Sequence, residues 1–212
     1  MDLKELFGYE GKNVVITGAG SGMGYAASRL LKELGANVYA TVRRKPLDFP
    51  VAKEIKADLN SQSGVDAVIA ELPESVDALF ICHGISNNLG KTNAMEVQLT
   101  NFYSFKYLTE KLLQRITDNG SVTFISSDGG KDWRSSLKDC LEIIHTSSWK
   151  EAILEKFSLE FWNGRWASPE EMGYPLVTIG SKIFSYMSGQ VLYINYGTSS
   201  LWEIGELQKG QG

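Results

Sequence analysis

The 212-residue chain carries 21 basic and 25 acidic residues, for a net charge of −4, and 43% of it is hydrophobic. That length builds one sizeable α/β domain with a real core, and the small negative balance argues against non-specific attraction to nucleic acid or to a membrane surface. No apolar run approaches the ~20 residues that span a bilayer, the start Met1-Asp2-Leu3-Lys4-Glu5 lacks a signal-peptide pattern, and Cys82 and Cys140 have neither metal-ligand spacing nor a disulfide framework. The expectation is therefore a single domain over residues 1–212, cytoplasmic, with reduced thiols, no metal site, and no nucleic-acid or membrane partner.

The apolar run Val14-Val15-Ile16 reads as a short buried parallel strand. Thr17-Gly18-Ala19-Gly20-Ser21-Gly22-Met23-Gly24 follows, and then a helical pattern with Ala26, Ala27, Leu30, Leu31 and Leu34 on one face and Gly35 as its stop. A glycine-rich turn between a strand and a helix start is an anion site. Its backbone can approach a ligand closely, and the free N–H groups and positive dipole end of the helix face a pyrophosphate. The second strand at 37–42 completes the context that a dinucleotide turn requires. Gly18, Ser21, Gly22, Met23 and Gly24 are the cofactor-contacting candidates.

Thr17-Gly18-x-x-x-Gly22-x-Gly24 resembles the cofactor turn of the short-chain dehydrogenase/reductases, and the chain resembles most the branch that includes bacterial 3α-hydroxysteroid dehydrogenase/carbonyl reductases. The resemblance implies a Rossmann-like, doubly wound parallel sheet with helices on both faces, binding NADP or NAD.

An acidic residue at the end of the second strand would hydrogen-bond the adenosine ribose. Val42 stands there instead, followed by Arg43, Arg44 and Lys45. A 2′-phosphate wants such cations, and a guanidinium can grip it bidentately. The other reading is a solvated basic loop end. NADP is the preferred cofactor on this reading, with Arg43 the clamp, Arg44 beside it, and Ala40-x-x-Arg43-Arg44 similar to NADP-preferring relatives.

A third strand at 54–57 leads into Asp58-Leu59, which the resemblance places against the adenine; Ser61 and Ser63 can cap the helix that follows. The fourth strand, 78–81, runs into Cys82-His83-Gly84, where the steroid-dehydrogenase branch has Cys-Ala-Gly. Gly84 allows close approach to the cofactor ribose. His83 replaces a small residue; a proton-donating role stands against a partly exposed loop histidine with a local hydrogen bond.

A helical pattern runs over 95–116 and carries Asn101, which matches the family Asn that supports a proton-relay water. Tyr107-x-x-x-Lys111 has the family's catalytic spacing but lies before the fifth strand, on the wrong helix, and is rejected as the dyad. Asp118-Asn119-Gly120 reads as a turn into strand 122–125, after which Ser127 matches the serine that holds the substrate oxygen. Ser127 and Asn101 are thus the catalytic candidates.

Two helical stretches, 133–145 and 149–161, resemble the insertion of the steroid-dehydrogenase branch, placing a helical insertion at about 131–163. Trp133, Trp149 and Trp166 either line a hydrophobic pocket or fill core beneath it, and core is the preferred reading. The resemblance then implies a helix with Tyr-x-x-x-Lys and a sixth strand, but neither is present, so an internal deletion falls near 161–164. Ser168-Pro169-Glu170-Glu171 starts the next helix, and 190–194 resembles the family's final strand. The expected strand order is 3-2-1-4-5-7, with strand six missing. The helix that forms much of the family's dimer interface is also missing, so an atypical oligomer, such as a dimer, is expected.

In the family, the Tyr hydroxyl is the general acid/base and the Lys lowers its pKa. Proton transfer of this kind contributes about 10²–10⁴-fold. Thr178-Ile179-Gly180-Ser181-Lys182 mimics the dyad's ending, but a Thr hydroxyl is too weak an acid; Tyr103, Tyr174 and His83 are the remaining candidates. Two functional readings follow. One is an NAD(P)(H)-dependent oxidoreductase acting on an alcohol or carbonyl compound, weakened or altered by the loss of the dyad. The other is a catalytically silent NADP(H)-binding pseudoenzyme with a sensing or partner-binding role.

Overall fold

The computed structural model describes residues 3–86, 94–126, 134, 137–145, 148–149 and 169–181. After the short helix α1 (Leu3–Phe7), the chain alternates strand and helix: β1 (Asn13–Thr17), α2 (Gly22–Glu33), β2 (Asn37–Val42), β3 (Lys53–Lys56), α3 (Gln62–Glu71) and β4 (Val76–Ile81). Helix α4 (Ala94–Gln98) passes through a π-helical turn (Leu99–Tyr103) into α5 (Ser104–Leu112), and a 3₁₀ turn (Leu113–Arg115) leads to β5 (Ile116–Phe124). Helices α6 (Leu137–His145) and α7 (Pro169–Ile179) follow.

The five strands form one parallel sheet in the order β3-β2-β1-β4-β5. This is the expected Rossmann-like, doubly wound arrangement. The final strand expected at 190–194, and with it the place of a strand seven, lies outside the described residues. Alternation along the strands divides the core into two layers. Val14 and Ile16 of β1 with Ala78 and Phe80 of β4 face Ala27 and Leu31 of α2 and Leu176 and Val177 of α7. Val15, Leu79 and Ile81 face the other way, onto Val65 and Val68 of α3 and Leu108 and Leu112 of α5. Strands apolar on both faces are what helices on both sides of a parallel sheet demand.

Local chemistry sets the ends of these elements. Ser61 caps α3, its hydroxyl accepting from the Gly64 N–H at 3.2 Å. Helix α2 closes at Gly35 (φ +85°), with the Ala36 N–H donating to the Leu31 carbonyl at 3.0 Å. One expectation is corrected. Asp118-Asn119-Gly120 is not a turn before the fifth strand but lies inside β5. Pairing shifts from Val76↔Ile116 to Ala78↔Ser121, so the extra residues bulge out of the ladder while pairing resumes on both sides. Helix α6 covers Leu137–His145 of the helical stretch expected over 133–145, and residues 133, 135 and 136 lie outside the described residues.

Trp149 is buried edge-on against Tyr103 (5.0 Å between ring centres) and Tyr107 (5.9 Å), a core position. Trp133 and Trp166 lie outside the described residues. Among the described residues, no helix is long and apolar enough to cross a membrane, and no group of three or more His, Cys, Asp or Glu is placed to hold a metal.

Candidate functional site

Because all five strands run parallel, their carboxyl ends share one edge of the sheet. The sequence candidates follow those ends in turn: the glycine turn after β1, Arg43 and Arg44 after β2, Asp58 and Leu59 after β3, and Cys82, His83 and Gly84 after β4. The chain path reverses between β1 and β4, and that switch point opens the crevice in which open α/β sheets bind ligands. Ser127, expected after β5, lies outside the described residues.

The turn itself is set by two glycines in left-handed backbone, Gly18 (φ +69°) and Gly22 (φ +57°). A Cβ on Gly18 would sit 2.6 Å from His83 Cα, so the ends of β1 and β4 touch main chain to main chain there. At Gly22 nothing lies within 4 Å of such a carbon, so the backbone faces open space. Thr41 ties the turn to β2: its hydroxyl accepts from the Gly18 N–H at 3.2 Å and its carbonyl from the Ala19 N–H at 2.9 Å. Ser21 is the N-cap of α2 in extended backbone, and its side chain makes no capping bond. The first-turn N–H groups of α2 are therefore left for a ligand.

Beside the turn, Lys45 lies over the Tyr25 ring at 5.7 Å, and Tyr25 Oη donates to Asp48 Oδ1 at 2.6 Å. That bond, the largest influence on Asp48, holds its carboxyl below the usual value and raises the Tyr25 phenol. Arg43 and Arg44 are exposed. Leu59 is buried in the core while Asp58 is exposed, its Oδ1 accepting from the Asn60 N–H at 3.3 Å.

At the β4 end, the Cys82 N–H donates to Thr17 Oγ1 at 3.1 Å, and burial pushes the Cys82 thiol far up, so it stays protonated. His83 reaches Thr17 Oγ1 through Nδ1 at 2.7 Å and Ser104 Oγ through Nε2 at 2.6 Å. Burial lowers its pKa to about 4, against a smaller raising effect from a backbone hydrogen bond at Thr100. Both ring nitrogens are thus engaged, the burial favours the neutral ring, and His83 ties the end of β1 to the start of α5.

Asn101 sits in the π-helical turn, a distortion frequent at functional sites. Its Oδ1 accepts from the Ile85 N–H at 2.8 Å and its Nδ2 donates to the Ile85 carbonyl at 2.7 Å. Of the other acid candidates, Tyr174 is exposed on α7. Tyr103 is buried in the α3/α5 layer. Tyr107 donates to Asp66 Oδ1 at 2.9 Å, with Lys111 over its ring, on the α3 side of α5. Thr178 Oγ1 donates back to the Tyr174 carbonyl at 2.9 Å. Thr41, Ser104 and Ile85 take part in the site without having been singled out in the sequence, and Thr17, which heads the glycine motif, had no hydrogen-bonding role assigned to it; only the unusual His83 hinted that new partners were needed.

The short chain dehydrogenase family model matches residues 12–137, more than half of the chain. The chain belongs to the short-chain dehydrogenase/reductase family. A coniferyl-alcohol dehydrogenase of Pseudomonas sp. (strain HR199 / DSM 7063) is 35% identical over 127 residues, 60% of this chain and 48% of that protein. The chain spans about half the length of the curated relatives it matches. A short chain dehydrogenase family protein from Francisella tularensis subsp. tularensis SCHU S4 superposes with a TM-score of 0.66 at 18% identity, covering 90% of this chain and 99% of that one. A short-chain dehydrogenase/reductase from Burkholderia multivorans, solved with bound NADP, has a TM-score of 0.50 at 24% identity, covering 57% of this chain and 60% of that one.

The family binds a dinucleotide, and the residues present here fit one: an uncapped helix start, a glycine backbone open to the crevice at Gly22, and no acid in the first turn of α2 to repel phosphate.

Proposed function

We propose that this chain is an NAD(P)(H)-dependent oxidoreductase acting on an alcohol or carbonyl compound, with NADP(H) preferred. The observation that carries the reading is the uncapped start of α2, set at the switch point of the sheet with the open backbone of Gly22 beside it. The N–H groups of this turn would hold the linked phosphates. Arg43, with Arg44 beside it, would grip a 2′-phosphate from the end of β2, where an NAD-selective site would place an acid. Asp58 and Leu59 would border the adenine, and Gly84 would lie along the nicotinamide ribose.

The bound cofactor supplies or accepts the hydride. This chain's own residues orient the reactants. Ser127 would hold the substrate oxygen, and Asn101, by fixing the Ile85 backbone, would shape the crevice floor. The Tyr-x-x-x-Lys helix is missing from the sequence where the family carries it, which we attribute to an internal deletion near 161–164. Turnover is accordingly low, because a positioned acid/base is worth about 10²–10⁴-fold. Similarity to a coniferyl-alcohol dehydrogenase supports an alcohol or carbonyl substrate class, and the NADP bound in the Burkholderia multivorans neighbour supports the cofactor.

The test is a fluorescence titration of the purified protein with NADPH and NADH, followed by incubation with a panel of aldehydes, ketones and alcohols. Saturable NADPH binding with slow, substrate-dependent oxidation is expected. Binding without any turnover would select the silent NADP(H)-binding reading instead, and failure to bind either nucleotide would overturn both.

A further inference from the structure

The distances around His83 favour one direction of hydrogen bonding. Ser104 Oγ donates its single proton to the Thr100 carbonyl at 2.8 Å. Toward His83 Nε2, 2.6 Å away, it can only accept, so the ring proton resides on Nε2. Nδ1 is then an acceptor, and Thr17 Oγ1 at 2.7 Å donates to it in preference to the Phe80 carbonyl at 3.5 Å, while accepting the Cys82 N–H at 3.1 Å. The chain Cys82 N–H, Thr17, His83, Ser104, Thr100 carbonyl is complete, and it fixes one tautomer. Phe105 holds the ring edge-on at 4.6 Å between ring centres.

This chain joins two parts of the candidate site. Thr17 is the residue immediately before the glycine turn, and Gly18 presses on the His83 main chain. Ser104 opens α5, directly after the π-helical turn whose Asn101 clasps Ile85, two residues beyond His83. The loop after β4 is thereby pinned at both ends, with the exposed Gly84 between the pins. An alanine at position 83 would leave Thr17 and Ser104 without their shared partner and let the glycine turn shift against α5.

We propose that His83 is a positioning residue for the nucleotide pocket, bracing the glycine turn after β1 against the helix that carries Asn101. This rests on the dinucleotide-binding reading above. His83→Ala is expected to weaken NADPH binding by about tenfold, the scale of a lost buried hydrogen-bond pair. His83→Gln restores affinity to within about threefold, because a carboxamide can accept from Thr17 and donate to Ser104. Ser104→Ala, which removes one end of the brace only, should fall between them and serves if His83→Ala does not fold. Leu72→Ala, a core change at the far end of α3, controls for lost stability and should leave affinity unchanged. In the unliganded protein, ring ¹⁵N NMR should show the Nε2–H tautomer at pH 7. If the wild type binds NADPH and His83→Ala binds it equally well, or if the proton is on Nδ1, the brace is overturned while nucleotide binding stands. If the wild type binds neither nucleotide, the functional reading falls and the positioning role falls with it.

Discussion

The hydroxyl of Tyr9 donates to the carbonyl of Val177 at 2.8 Å, joining residues 168 positions apart in the chain. Tyr9 is buried beside Phe80, 6.3 Å between ring centres, at the seam where α7 closes the α2 face of the sheet. Tyr9→Phe leaves the Val177 carbonyl buried without this donor and should cost about 1–3 kcal/mol, read as a lower urea midpoint with nucleotide affinity unchanged. Burial raises the Tyr9 phenol well above its ordinary value, so the fold favours the protonated form. Its contribution is fully present below the free tyrosine value near 10 and is lost as pH rises above it. The alkaline limb of a stability profile should therefore flatten in Tyr9→Phe.

Gly18 and Gly22 share a backbone conformation but should fail in different ways. At Gly22 an added Cβ meets nothing within 4 Å, so Gly22→Ala carries only left-handed strain of about 1–2 kcal/mol. That variant should fold, yet its methyl group points into the space a pyrophosphate would fill, and NADPH titration should show no binding. At Gly18 the same carbon meets His83 Cα at 2.6 Å and His83 N at 2.7 Å, both backbone atoms that cannot move aside singly. Gly18→Ala adds about 1–3 kcal/mol of overlap to the strain and should appear as loss of a cooperative thermal transition. Equal stability of the two variants would contradict this account.

Arg43 and Arg44 stand exposed at the β2 terminus, free of the solvent exclusion that would make an unpaired cation costly. Their effect should therefore appear only with the right ligand. Arg43→Ala is expected to weaken NADPH binding by about tenfold, the scale of one lost charge-assisted contact, while NADH binding stays within about twofold. Parallel loss of both nucleotides would mean that Arg43 supports the turn and does not read the 2′-phosphate.

The sequence displayed those parts of the fold whose signals are local. Val14-Val15-Ile16 is a short apolar run that reads as a buried strand; Gly35 ends α2 and Ser61 caps α3 through short-range backbone needs visible in neighbouring residues. Sheet order came from the resemblance and not from any local pattern. The bulge at 117–120 was hidden because Asp-Asn-Gly is turn chemistry in isolation, and only pairing with β4 on both sides keeps it within a strand. The site divided along the same line. The glycine turn is contiguous and could be read, whereas the partners of His83 lie 66 residues before it and 21 after it, and no spacing rule links them. The Asn101 clasp on Ile85 was hidden for the same reason, since a helical asparagine gives no sign of which backbone it holds.

The last prediction concerns acid stability. His83 has a folded pKa of about 4, lowered from 6.5 mainly by burial, and Thr17, Ser104 and Phe105 around the ring carry no charge to offset it. Its neutral form is favoured in the fold, so the stability it confers is fully present above 6.5 and is lost as pH falls toward 4. The linked loss between pH 7 and pH 4.5 approaches about 2–3 kcal/mol, carried by a single group. Protonation would also place a second N–H against Thr17, reversing that bond and turning the Thr17 proton toward the more distant Phe80 carbonyl at 3.5 Å. His83→Gln has no such titration but keeps the donor and acceptor. Its urea midpoint should therefore exceed that of the wild type at pH 4.5 even where it is lower at pH 7. Parallel pH profiles for the two proteins would show that the imidazole titrates without strain and that the hydrogen-bonded chain is looser than its distances indicate.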